Sequence, residues 1–227
     1  MDWALIQYAL PLFIVVIGLE SKSLNFMGAI SALLMTYIIF ITQNVYWFAV
    51  MLAFFVIGTA ATRYKEERKE KMKLMQKIRG SKNVMSNGGV AMFMAVLGGP
   101  AGIHGFIGAM AAAASDTVSS EIGVTSRERP VMITDFSPAR TGMNGAISLF
   151  GTFWGFMTAL AIGLVSLAIL PSPKTLVIAV VAGMLGNFAD SYLGAVFENR
   201  GWWGNSTTNL LATVVGAVLG MLIGALI

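Results

Sequence analysis

Val45-Tyr-Trp-Phe-Ala-Val-Met-Leu-Ala-Phe-Phe-Val-Ile-Gly-Thr-Ala-Ala-Thr62 runs eighteen residues without a charge, and Arg63-Tyr-Lys-Glu-Glu-Arg-Lys-Glu-Lys-Met-Lys73 follows it directly. Coiled as a helix, the first stretch approaches the thickness of the hydrocarbon core of a bilayer, so it reads as a membrane span. Loops rich in Lys and Arg stay on the cytoplasmic side. The junction at Arg63 therefore indicates both that the chain lies in a membrane and which way it faces.

The rest of the chain repeats the first half of that pattern. Of 227 residues, 56% are hydrophobic and 11% charged, and the mean hydropathy is +0.76. A soluble domain carries about 25% charged residues. Half that fraction cannot cover a water-facing surface. Charge-poor stretches predict spans at about 3–19, 24–42, 45–62, 84–98, 101–121, 143–170, 174–194 and 207–227. The fold class expected is an all-α integral membrane protein, a polytopic bundle of about eight transmembrane helices forming one domain over 1–227. A basic arm at 63–83 and loops at 122–142 and 195–206 are expected in the cytoplasm. The fourth span is short and Gly-rich, and a re-entrant hairpin is the other reading of it. The first does not read as a cleaved signal peptide, because Glu20 and Lys22 stand where a small-residue cleavage site belongs.

Nine of the 15 Lys and Arg residues lie between Arg63 and Lys82. Alternating spans put Lys22, Arg127, Arg129, Arg140 and Arg200 on the same side and leave Lys174 alone on the other. That division predicts an even number of crossings, a multi-pass protein of the cell membrane, and both termini outside. Tyr46 and Trp47 are expected at the outer interface, Trp202 and Trp203 at the inner one. The basic segment reads as a helix running out of the third span. Its plain role is a solvated arm touching anionic lipid, and its sharper one is gathering an anionic nucleotide. The net charge of +4 would suggest nucleic acid in a soluble protein, but here it belongs to the membrane surface, and no nucleic-acid partner is expected.

Against this apolar background three acids stand out. Asp116 and Glu121 lie in Ser115-Asp-Thr-Val-Ser-Ser-Glu-Ile-Gly123, and Asp190 lies in Gly186-Asn-Phe-Ala-Asp-Ser-Tyr-Leu-Gly194. A carboxylate inside a span costs a few kcal/mol on the mildest scale (~2.5–3.5), so such residues mark function by default. The plain alternative is a carboxylate snorkelling to the interface or paired with Arg. Helical spacing groups Gly183, Asn187, Asp190 and Gly194 on one face of the seventh span. It groups Asn144, Ser148, Gly151, Thr152 and Gly155 on the sixth, and Asn205, Asn209, Thr213, Gly216 and Gly220 on the eighth. Small-residue stripes alone usually mean helix packing. Here each carries an Asn toward its cytoplasmic end. An internal echo adds to this: Asn87-Gly88-Gly89 and Ser115-Asp116-Thr117 bracket one hairpin, Asn144-Gly145 and Ala189-Asp190-Ser191 the next. The echo predicts that Asp116 and Asp190 face each other across a shared cation.

The chain has no Cys, and its single His104 reads as an interface residue in an outer turn, so thiolate and His-rich metal sites are excluded. Oxygen ligands without His or Cys select a hard cation, Mg²⁺ or Mn²⁺. Asp116, Asp190 and Glu121 are its candidate ligands. Lys82, Arg127, Arg129, Arg140 and Arg200 could meet phosphate oxygens. Gly88, Gly89, Gly142 and Gly145 could admit backbone N–H groups to a polyphosphate. No G-x-x-x-x-G-K-[ST] is present, so the chain is not a P-loop enzyme.

The stretch Ser115-Asp-Thr-Val-Ser-Ser-Glu-Ile-Gly123, then Arg129-Pro-Val, Gly142-Met-Asn-Gly-Ala-Ile-Ser148-Leu-Phe-Gly151, Gly186-Asn-Phe-Ala-Asp-Ser-Tyr-Leu-Gly-Ala195 and Asn205-Ser-Thr-Thr-Asn209 resembles the phytyl-phosphate kinase family. These are integral membrane enzymes of plant tocopherol synthesis, grouped with the transmembrane-protein-19 proteins and prokaryotic members. The resemblance runs from about residue 20 to the end. It implies phosphorylation of an isoprenoid lipid monophosphate, of phytyl or geranylgeranyl type, to the diphosphate, with CTP as the donor. In that setting Asp116, Asp190 and Glu121 would hold metal, and Asn144, Arg129 and Arg140 would join them in catalysis. Asn87, Gly88, Gly89, Lys82, Arg127, Gly142, Gly145, Ser148, Asn187, Ser191, Asn205 and Asn209 would bind the nucleotide and the phosphates. The partners expected are the lipid monophosphate, the nucleotide and membrane lipid; a homodimer is left open. Two other classes remain: a Mg²⁺-dependent prenyl- or phosphatidyl-type transferase, and a transporter. The usual D-x-x-x-D repeat of the first is absent. For the second, acids would be expected at the midplane rather than at one end.

Overall fold

In the computed structural model, residues 3–75 and 78–227 are described, with side chains from residue 9 onward. Lys77 of the basic arm lies outside them. Among the described residues the regular structure is helical apart from one two-residue ribbon. Its helices are α1 (Trp3–Glu20), α2 (Phe26–Thr42), α3 (Val45–Arg63), α4 (Glu66–Lys71), α5 (Ser81–Leu97), α6 (Gly99–Gly123), α7 (Leu149–Ser166), α8 (Pro173–Leu193) and α9 (Asn205–Leu226). Strands β1 (Val131–Met132) and β2 (Ala146–Ile147) pair antiparallel, Val131 opposite Ile147. By length and composition, α3, α7, α8 with its continuation to Glu198, and α9 are long and apolar enough to cross a membrane, while Ala9–Glu20 and Phe26–Thr42 are shorter apolar helices.

Local chemistry sets the helix boundaries. Asn25 caps α2 by accepting from Gly28 N (2.8 Å), Asn44 caps α3 from Tyr46 N (3.0 Å), and Ser148 caps α7 from Gly151 N (3.1 Å). Pro100 and Pro173 stand in the first turns of α6 and α8, where a missing N–H costs nothing. Gly98 and Gly99, with φ of +63° and +61°, make the sharp turn between α5 and α6 that a side chain would strain.

The Ala- and Gly-rich α6 is the axis. It packs against α3, α5, α7, α8 and α9, and its run from Gly105 to Asp116 is buried throughout. A Cβ on Gly108 would strike the Gly216 carbonyl, and one on Gly220 the His104 carbonyl. Backbones this close gain dispersion contacts that bulky side chains would forfeit, which is how helices associate where water gives no drive.

The helix ends sort into two sets. Gln43 Nε2 donates to Ala95 O (2.6 Å), which joins the α2–α3 and α5–α6 turns, and Gly224 abuts His104. At the other end, Leu24 bridges Arg79, Arg68 Nη2 donates to Ser126 O (3.1 Å), and Asn199 Nδ2 donates to Asn144 O (2.9 Å). The loops that carry the described Lys and Arg residues lie at this second end, Lys174 apart.

Four expectations are corrected. The sixth span does not begin at 143: Gly142 and Gly145, at φ of +82° and +83°, hold 142–148 in a loop that contains β2, and helix starts only at Leu149. Asn144 and Ser148 are therefore not on a helix face. The basic segment is not a helix running out of α3. It breaks at Lys65 (φ +48°), and α4 folds back so that fully buried Lys69 donates to the Ala61 (2.8 Å) and Thr62 carbonyls. Those are carbonyls of the last turn of α3, and an ammonium there also meets the negative end of the helix dipole. Trp47 is a core residue packed on Phe106 (ring centroids 4.5 Å apart) rather than an interface anchor. His104 lies inside α6, buried against α9, rather than in a turn.

Candidate functional site

At the end where the basic loops gather, a polar cavity of about 430 Å³ opens between the first turns of α5, α7 and α9, the last turns of α6 and α8, and the 141–148 loop. Asp116 from α6 and Asp190 from α8 meet here with their carboxyl groups in hydrogen-bonding contact. Two carboxylates in contact repel unless a proton or a cation lies between them. Ser120 Oγ approaches Asp116 Oδ1 at 3.5 Å.

Amides complete the floor. With the Asn209 amide oriented to satisfy its neighbours, its nitrogen donates to Asp190 Oδ2 (3.2 Å) and its oxygen accepts from Asn87 Nδ2 (3.1 Å). Asn87 Nδ2 also donates to Asn83 O (3.0 Å), while Asn87 Oδ1 is buried without a partner. A buried amide oxygen left unsatisfied costs about 1–3 kcal/mol, and this one belongs to a residue that lines the same cavity as the carboxyl pair. Asn187 Nδ2 donates to Ser115 Oγ (3.2 Å), and Ser119 Oγ donates to Asn187 Oδ1 (3.0 Å), which locks α8 to α6 one turn from Asp190. Gly155 of α7 faces this clasp: a Cβ there would lie 2.9 Å from Ser115 Oγ and 3.0 Å from Asn187 Nδ2.

Of the residues singled out from sequence, Asp116, Glu121, Asp190, Asn87, Asn144, Asn187, Asn205, Asn209, Ser148, Ser191, Gly142 and Gly145 all line this cavity. Six do not. Lys82, Arg127, Arg129 and Arg140 are exposed outside it, Gly88 backs onto Met35 of α2, and a Cβ on Gly89 would meet only Met85. Arg200 stacks on Trp202, 5.9 Å from the ring centroid. Glu121 reaches the cavity with both oxygens engaged, Oε2 by Lys69 Nζ (2.7 Å) and Oε1 by Thr62 Oγ1 (3.0 Å). Among the described residues, no group of three or more His, Cys, Asp or Glu converges as metal ligands would. The acidic centre is a pair, with Glu198 on the cavity wall beside it.

Glu198, Arg79, Lys73 and Asn83 line the cavity without having been singled out from sequence. Glu198 ends a π-helical turn, Gly194–Glu198, that widens the last turn of α8, and it accepts from Thr208 Oγ1 (3.0 Å). Such turns recur at functional sites. Its signal was its place eight residues after Asp190, on the same helical face. Arg79 is one basic residue among nine in its segment, and only the tertiary fold distinguishes it. Burial pulls its guanidinium below the usual arginine value, with Glu121 pulling the other way.

Comparison with known proteins places these residues in a wider set. A family described as integral membrane protein DUF92 matches residues 9–217. A membrane protein of Methanocaldococcus jannaschii is 36% identical over 207 residues, covering 90% of this chain and 87% of its own. Protein VTE6, chloroplastic, of Arabidopsis thaliana is 30% identical over 191 residues, 77% of this chain and 57% of its own. Protein PGR of the same plant is 28% identical over 216 residues, 81% of this chain and 75% of its own. No solved structure matches.

Proposed function

Because the chain belongs to the DUF92 family of integral membrane proteins, we propose that it transfers the γ-phosphoryl group of CTP to an isoprenoid lipid monophosphate, at the cytoplasmic mouth of an eight-span bundle. The observation that carries this reading is the contact of Asp116 with Asp190, from two different helices, on the floor of a cavity of about 430 Å³ walled by amides. The resemblance to the phytyl-phosphate kinases, carried by the motifs around Asp116, Asn144 and Asp190, supplies the substrate class.

The donor set fits a hard divalent cation: two carboxyls in contact, Glu198 beside them, and the unpartnered Asn87 oxygen, with neither sulfur nor imidazole at hand. Mg²⁺ bound there would supply positive charge to neutralise the reacting phosphates. Asp116, Asp190 and Asn87 are the residues that would hold it. Asn209 keeps Asp190 and Asn87 in register. Asn144 and Asn205, at the rim, face the space where phosphates would lie. Glu121, already tied to Lys69, serves as an anchor for the arm rather than as a ligand.

The reaction asks little else of the protein. A lipid monophosphate is already ionised near neutral pH, so its oxygen can attack the γ-phosphorus without a general base. The bond from the γ-phosphorus to the β-bridging oxygen breaks, and CDP leaves. Phosphoryl transfer of this kind needs alignment and charge neutralisation more than covalent help. The test is to incubate the purified protein with geranylgeranyl monophosphate and CTP, with Mg²⁺ or with chelator, and to resolve the lipids. Diphosphate should form only with nucleotide and metal together. Turnover without nucleotide would move the protein to the prenyl-transferase class.

A further inference from the structure

Arg79 stands where cavities meet. Besides the polar cavity, it borders a second cleft of about 80 Å³ between α1, α2, α3 and α5, whose walls include Ile14, Val15, Phe48, Leu52 and Phe55. The polar side chains at one end of that cleft are Arg79, Asn83 and Asn87, and all three line the polar cavity as well. Thr36, the other polar residue in the cleft, spends its hydroxyl on Ala32 O (2.8 Å). An apolar slot therefore adjoins, at its polar end, the cavity that holds the carboxyl pair.

The fold fixes Arg79 at this doorway. Its N–H donates to Ser23 O (3.0 Å) and its carbonyl accepts from Asn25 N (3.1 Å), which pins its backbone to the α1–α2 turn. Its guanidinium lies over the Phe54 ring, 5.7 Å from the centroid, and among the described residues no carboxylate pairs with it. A half-buried guanidinium that feels Glu121 but forms no ion pair of its own has donors left for an anion, and their fork matches phosphate. The ligand that fits is an amphiphile with one narrow apolar chain and a phosphate head.

We propose that the cleft between α1, α2 and α3 receives the phosphate-proximal part of the isoprenoid chain, and that Arg79 with Asn83 binds its phosphate and presents it to the carboxyl pair. This rests on the kinase reading above for the nature of the lipid. It places that lipid on the α1–α3 side of the site, which leaves the 141–148 loop and the first turn of α9 for the nucleotide.

The test uses the full chain in nanodiscs and a geranylgeranyl monophosphate carrying a mid-chain diazirine, irradiated without nucleotide. Cross-links should map to residues 9–20 and 45–63. Excess geranylgeranyl monophosphate should remove them, and neither geranylgeraniol nor phosphatidic acid should. Labelling of α7 or α8 instead, or equal competition by phosphatidic acid, overturns the proposal. In turnover assays Arg79→Gln should raise KM for the lipid at least tenfold, with KM for CTP unchanged and partial recovery in Arg79→Lys. Leu52→Trp, which fills the cleft with Arg79 intact, should raise the same KM. A rise in KM for CTP in place of the lipid overturns it too. Cross-linking needs no turnover. Labelling in the cleft by a protein that makes no diphosphate would sink the kinase reading alone, and turnover with labelling elsewhere would sink the lipid site alone.

Discussion

Asp116 and Asp190 lie 74 residues apart in sequence and touch in the fold. Replacing either by Asn keeps its size and hydrogen bonds and removes the charge that a cation needs. Turnover should fall at least about a hundredfold in each variant, the scale of loss when a strong electrostatic contact is removed from a reaction site. Thermal stability should hold or rise, because two buried acids in contact are a liability without a cation. Wild-type turnover in either variant would reduce the pair to packing. The Lys69–Glu121 pair behaves oppositely. Lys69 is 0% exposed and its Nζ bonds two carbonyls and Glu121. Glu121→Gln leaves that ammonium buried without its counter-charge, which costs about 3–5 kcal/mol. The midpoint of thermal unfolding should drop by about 6–20 °C. A Lys69→Met/Glu121→Leu double variant should recover most of it, and an unchanged Glu121→Gln midpoint would show the pair to be idle. These acids were legible in sequence because a carboxylate in an apolar run has few innocent explanations. Arg79 was not, because one cation among nine carries no mark until the chain folds around it.

The helices were the easiest elements to read from sequence, since uninterrupted apolar runs and Asn, Ser and Pro at their starts fix them from local information. The stretch before α7 was misread for a physical reason. Asn144, Ser148, Gly151 and Gly155 recur at helical spacing, but Gly142 and Gly145 take φ values that a helix does not allow. Asn144 lines the cavity all the same, because the loop carries it there. The arm after α3 was misread because its charges suggest a solvated helix, whereas its amphipathic fold-back buries Lys69. Gly155 offers a test at this scale. An added methyl would press on both partners of the Ser115–Asn187 clasp, at 2.9 and 3.0 Å. Gly155→Ala should cost about 1–3 kcal/mol, as overpacking does, and should loosen α7 against α6 and α8. Unchanged stability, read by thermal unfolding in detergent, would mean that the clasp can yield.

Across the whole molecule, the described Lys and Arg residues except Lys174 belong to segments at the end that holds the cavity, as Leu24–Arg79 and Arg68–Ser126 contacts show. Reporters fused after Lys82, Arg140 and Arg200 should therefore agree with one another and report cytoplasm. One inserted at Ser172, between α7 and α8, should report the exterior. Disagreement between the Lys82 and Arg140 fusions would mean that the α5–α6 hairpin does not cross, and the shared mouth would be lost. The central claim concerns which phosphorus reacts, and tracing the label decides it. Parallel reactions with α-labelled and γ-labelled CTP and a C20 prenyl monophosphate should put γ-label into the prenyl diphosphate and leave α-label in CDP, released in equal amount. Label from the α position in the lipid, γ-label only in free diphosphate, or product formed without nucleotide would contradict the account.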